Sequence, residues 1–172
     1  MLKQFDRIDT LITRIMARYG VTLLRISVGV VFFWFGALKF FPNLSPAEDL
    51  AARTIQTLTF GAVTPALALP ILAAWEVLIG IGMISGRFMR ATILLLLVQM
   101  LGTVTPLFLF PGETFTLFPI APTLEGQYII KNLVLVSAGI VIGATVRGGD
   151  VVADRDLVEQ AHLRYTRQTE AS

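Results

Sequence analysis

Apolar residues fall into four long runs, at about residues 20–41, 64–84, 89–110 and 127–146. A helix needs roughly 20 residues to cross a bilayer's hydrocarbon core, and each run has that length. The pattern therefore predicts an all-α membrane protein, a four-helix transmembrane bundle over residues 20–146, with a segment on either side. In residues 1–19, Leu2, Phe5, Ile8, Ile12, Ile15 and Tyr19 recur at helical spacing, with Lys3, Asp6, Arg7, Asp9 and Arg14 between them. This is an amphipathic N-terminal helix, either lying on the membrane surface or extending the first span, depending on whether Gly20 bends it. No small-x-small site follows the first apolar run, so a cleaved signal peptide is not expected. Residues 147–172 form a polar tail in which Val151, Leu157, Val158, Ala161 and Tyr165 keep a helical rhythm.

Prolines and caps refine the boundaries. Thr64-Pro65 reads as an N-cap followed by proline in the first helical turn. Pro70 and Pro106 are predicted to kink the second and third spans, a break that membranes tolerate when neighbouring groups cover the freed carbonyls. In the first long loop, Ser45-Pro46-Ala47-Glu48 has the spacing of a capping box, which predicts a short helix continuing through Asp49 to Gln56. The second long loop, from Pro111 to Pro122, is apolar and broken by prolines. It is expected either to cap the mouth of the bundle or to dip into the membrane interface.

Composition agrees with the pattern: 55% of the 172 residues are hydrophobic and 15% charged, with a mean hydropathy of +0.73. A soluble domain does not look so. There is no cysteine, which removes disulfides, thiol redox chemistry and thiolate metal sites. The single histidine, His162, lies in the tail, so no bis-histidine haem is expected in the bundle and no metal site is predicted. The isoelectric point near 9.3 does not imply a nucleic-acid partner, because the net charge is only +2 and the basic residues are sorted by side of the membrane. Lys3, Arg7, Arg14, Arg18, Arg87, Arg90, Arg147, Arg155, Arg164 and Arg167 flank one side and only Arg53 the other. The positive-inside rule then places both termini in the cytoplasm.

Four ionisable residues remain inside the spans: Arg25, Lys39, Glu76 and Lys131. Each costs about 2.5 to 3.5 kcal/mol on insertion scales, so each calls for a partner or a task. Arg25, Gly29, Phe32, Gly36 and Lys39 share one stripe of the first helix; Ala73, Glu76, Gly80 and Met83 repeat the rhythm on the second. Gln99 lies on the third, and Asn132 on the fourth beside Lys131. With about 1.5 Å of rise per residue, Arg25 and Glu76 come to similar depths, about 8 Å and 12 Å from the same membrane face. An Arg25–Glu76 ion pair extended by Gln99 is the expected polar pocket, as a register-fixing bridge or as a ligand site. Lys39 and Lys131 are expected near the other boundary, snorkelling or facing loop acids.

These residues resemble the DoxX-like superfamily of small bacterial four-helix membrane proteins. The likeness runs through Arg25, Gly29, Gly36, Lys39 and Phe40 in RISVGVVFFWFGALKF, and through Glu76, Gly80, Gly86 and Arg87 in EVLIGIGMISGR. It spans roughly residues 20–146. The resemblance implies a multi-pass protein of the bacterial inner membrane and, for some members, a subunit in quinone-coupled sulfur oxidation or in defence against oxidants. The missing cysteines, the apolar second loop and the charged tail depart from the redox members.

Three functions remain open on this reading. The first is an accessory or anchor subunit in a quinone-linked redox or oxidative-stress context, non-enzymatic itself, with an oxidoreductase partner, quinone as its only expected cofactor, and a pocket of Arg25, Glu76, Gln99, Lys39, Lys131 and Asn132. The second is a small transporter of a solute or lipid, expected to work as a homo-oligomer because four helices are few for a carrier. The third is a quinone-reactive oxidoreductase. No catalytic residue is assigned in any of them.

Overall fold

The computed structural model describes residues 2–41, 44–45, 48–146 and 148, with side chains from residue 8 onward. Pro46 and Ala47 of the expected capping box, and residues 149–172 with His162 and the expected tail helix, lie outside the described residues. Among the described residues, seven helices and a two-stranded hairpin follow one another: α1 Leu2–Leu38, α2 Glu48–Leu58, α3 Pro65–Ser85, α4 Met89–Val104, α5 Pro106–Leu109, α6 Pro111–Thr114, β1 Phe115–Leu117, β2 Ala121–Pro122 and α7 Leu124–Thr145.

Among the described residues, four segments are long and apolar enough to span: Ile8–Leu38, Pro65–Ser85, Met89–Leu109 and Leu124–Thr145. Only 22% to 28% of each is buried within the protein. The remaining apolar surface faces outward, as in Leu94, Leu101 and Leu133; lipid is the solvent that accepts so much of it. The four spans close into an antiparallel ring in which α1 packs on α3 and α7, and α4 packs on α3 and α7. Val28, Phe32, Ile79, Met83, Leu96, Met100, Ala138 and Ile142 fill its centre.

The amphipathic segment is the first part of α1 itself. The helix runs through Gly20 without a break, so the bent, separate surface helix is not formed. At 1.5 Å per residue α1 is about 55 Å long, well beyond the roughly 30 Å of hydrocarbon.

Local rules account for the other boundaries. Thr64 is the extended N-cap of α3 with Pro65 at the first turn, and Gly86 closes the helix with a left-handed φ of 69°. At Pro106 the missing N–H would have bonded the Gly102 carbonyl. That oxygen is satisfied instead by the Thr105 hydroxyl at 2.6 Å and the Thr105 N–H at 3.3 Å, which splits the third span into α4 and α5. α2 forms with Glu48 and Asp49 in its first turn, where the helix dipole favours acids. The fourth span starts at Leu124, earlier than its hydropathy indicates. The reason is a cap: Thr123 accepts from the Gly126 N–H at 3.2 Å and donates to the Glu113 carbonyl at 2.7 Å.

Candidate functional site

The approach of α1 to α3 decides the geometry of the site, and glycine permits that approach. A Cβ on Gly80 would lie 2.5 Å from the Phe33 nitrogen, one on Gly36 would lie 2.7 Å from the Glu76 Cβ, and one on Gly29 would meet Ile84 and Met83 at 2.8 and 2.9 Å. The backbones therefore touch along the whole stripe, as small residues allow in membranes. The register is read directly from these contacts: Gly29 sits against Met83 and Ile84, Phe33 against Gly80, and Gly36 against Glu76.

This register overturns the expected Arg25–Glu76 pair. Arg25 lies beyond the last turn of α3, where its Nη1 donates to the carbonyls of Met83 and, at 3.1 Å, of Ile84. The guanidinium thus caps the helix C-terminus, whose carbonyls lack partners within the helix and attract a cation. Lys39, one turn beyond Gly36, takes the place assigned to Arg25. Its Nζ lies 2.7 Å from Glu76 Oε2, and both side chains are only 12% exposed. Side chains on a helix tilt toward its N-terminus, so Lys39 is drawn back into the bundle. It does not snorkel to the boundary.

Gln99, on α4, completes the group by donating from Nε2 to Glu76 Oε1 at 2.9 Å. Each carboxylate oxygen therefore holds one donor, and the Lys39 and Glu76 charges cancel. Glu76 is the twelfth of 21 residues in its span and Gln99 the eleventh of 21, so the site lies near mid-membrane. Beside it, the Trp75 indole donates to the Leu95 carbonyl at 3.1 Å and locks α3 to α4, while Phe32 is buried in the adjoining core.

One atom is left over. Gln99 is 9% exposed, and its Oε1 is buried with no hydrogen-bond partner. A buried acceptor without a donor is costly, about 1 to 3 kcal/mol, and asks for an explanation.

Lys131 and Asn132 do not join this group. Lys131 is exposed on α7, with its ammonium 5.9 Å from the centre of the Tyr128 ring. Asn132 is half-buried and makes no hydrogen bond among the described residues. No group of three or more His, Cys, Asp or Glu that could hold a metal ion occurs among the described residues.

A second ionic contact ties the loops together. Arg53 of α2 forms a two-pronged bridge to Glu113, with Nη1 at 2.7 Å from Oε1 and Nη2 on Oε2, and its guanidinium lies 5.3 Å from the Phe110 ring centre. That hydrogen bond holds the Glu113 carboxyl below the usual glutamate range and pushes Arg53 up. Around it Ser45, Glu48, Asp49, Leu50, Arg53, Glu113 and Glu125 line an open cleft of about 580 Å³.

No curated protein and no solved structure matches the chain. The sequence model of the DoxX family matches residues 20–111. That stretch is more than half of the 172 residues and contains the glycine stripe, Lys39, Glu76 and Gln99, so the chain belongs to the DoxX family.

Proposed function

We propose that the protein is an accessory or anchor subunit of a quinone-linked redox system, with the Lys39–Glu76–Gln99 group holding a hydroxyl-bearing, lipid-soluble molecule of the quinol class. The observation that carries this reading is the Gln99 Oε1 acceptor, buried at mid-membrane without a donor. A neutral ring reaches that depth from the lipid, and a phenolic hydroxyl supplies the hydrogen bond. The chain's own part is to bind and orient: Lys39 and Gln99 fix the carboxylate, Glu76 keeps the Gln99 amide turned, and the packed helices exclude water. Electron transfer belongs to an oxidoreductase partner. The charge asymmetry of the sequence supports a bacterial inner membrane setting with the arginine-rich end in the cytoplasm.

The test is native purification in mild detergent, with mass spectrometry of bound proteins and lipids, for the wild type and Gln99→Leu. The expected result is an oxidoreductase and near-stoichiometric quinone with the wild type, and loss of the quinone from a Gln99→Leu protein that melts normally. Recovery of a lone homo-oligomer without quinone overturns the proposal. It would favour a transporter instead, for which flux into proteoliposomes should depend on Glu76.

A further inference from the structure

The apolar loop before α7 has a property that the bundle does not require. From Thr114 to Leu124 the chain carries no charge, and the part that protrudes is hydrophobic: Leu117, Phe118 and Ile120 are 60%, 61% and 78% exposed. Its backbone is nevertheless closed on itself. β1 pairs antiparallel with β2, the Ile120 N–H donates to the Leu117 carbonyl at 2.8 Å, and the Thr116 hydroxyl donates to the Ala121 carbonyl at 2.9 Å. Pro119 and Pro122 bring no N–H at all. Hydrocarbon tolerates irregular backbone only where its polar groups have partners, and these hydrogen bonds supply several of them.

The root of the hairpin is fixed. Thr114 is fully buried, its carbonyl accepts from the Thr123 N–H at 2.9 Å, and Gly126 packs so closely beneath it that a Cβ there would lie 2.0 Å from that oxygen. Beyond the half-buried Ala121, Pro122 and Thr123, the outward face of α7 begins with Leu124 and Tyr128, one turn apart and both exposed. Tyrosine is favoured at the level where a span leaves the hydrocarbon. The apolar tip thus continues a surface already turned toward lipid.

We propose that the β1–β2 hairpin is a membrane-inserted anchor, its Leu117, Phe118 and Ile120 tip seated among the lipids of the leaflet beside the start of α7. It is neither a lid over the bundle nor a loop in water. Just before its root, Glu113 of α6 is tied to α2 by the Arg53 bridge.

Because the chain has no cysteine, single thiols can be introduced without removing others. Full-length Ile120→Cys and Leu117→Cys are each labelled with a nitroxide in vesicles of phosphatidylethanolamine and phosphatidylglycerol. Collision with dissolved oxygen is compared with collision with a water-soluble nickel chelate. Leu133→Cys, on the exposed middle of α7, provides the lipid reference and Thr57→Cys, exposed on α2, the aqueous one. The proposal expects the labels at 120 and 117 to shift to the high-oxygen, low-nickel ratio of the Leu133 label. A ratio equal to that of the Thr57 label overturns it in favour of a solvated loop. Exclusion of both reagents overturns it in favour of a site covered by protein.

Discussion

Among the described residues, two bridges join a basic side chain to a glutamate, and their surroundings make them different objects. Lys39 and Glu76 are each 12% exposed at mid-membrane, with a third residue completing the set. Arg53 and Glu113 are 45% and 46% exposed at the loop end. The Arg53 bridge has the better geometry, two-pronged and charge-assisted. Yet water competes for both of its partners and salt screens them, so an exposed pair contributes little. In the buried pair neither charge has another medium to return to, so the loss of one partner strands the other.

The largest effect is expected from Glu76→Gln, which leaves Lys39 as an uncompensated cation in the bilayer. A loss of about 3 to 5 kcal/mol is expected, seen as a lowered midpoint of thermal unfolding in detergent. Adding Lys39→Met to that variant removes the stranded charge and should restore most of the loss. A double variant no better than the single one would show that the charge pair is not what matters. Gly80→Ala comes next, because a methyl there meets the Phe33 backbone and forces α1 from α3. The expected cost is about 1 to 3 kcal/mol, again by thermal midpoint. Gly112→Ala, beside Glu113 and open on all sides, should leave the midpoint unchanged.

Of the two bridges, the exposed one has the smaller expected effect, tested by Arg53→Ala. The Glu113 carboxyl is held low by its hydrogen bond to Arg53, so the bridge contributes in full above the ordinary glutamate range, and this is lost as pH falls through the lowered value. The melting curves of wild type and Arg53→Ala should therefore differ slightly at neutral pH and merge in acid. They should also merge at high salt. A difference as large as that of Glu76→Gln would contradict the contrast between the two bridges.

Much of the fold was legible in the chain. The four spans follow from local hydropathy, the start of α3 from Thr64-Pro65, and the break before α5 from Pro106, because each depends on groups within one turn. The start of α7 was less legible: Thr123 caps the helix partly by donating to Glu113, ten residues away in sequence. At the site, Glu76 and Gln99 could be picked out because a polar group at bilayer depth must find a partner. The identity of the cation could not be read from depths measured along guessed helix ends. A signal was nonetheless present: Gly36 and Lys39 share a stripe one turn apart, so a glycine set against Glu76 brings that lysine within reach.

Sequence alone determined that the chain carries four membrane-spanning segments and that Glu76 and Gln99 turn into the bundle, since both follow from the cost of placing polar groups in hydrocarbon. Only the tertiary structure decided that Lys39 neutralises Glu76 while Arg25 caps the end of α3. That choice rests on a helix register set by backbone contact at Gly29, Gly36 and Gly80. A slip of one turn moves a side chain by about 5.4 Å, enough to exchange one cation for the other.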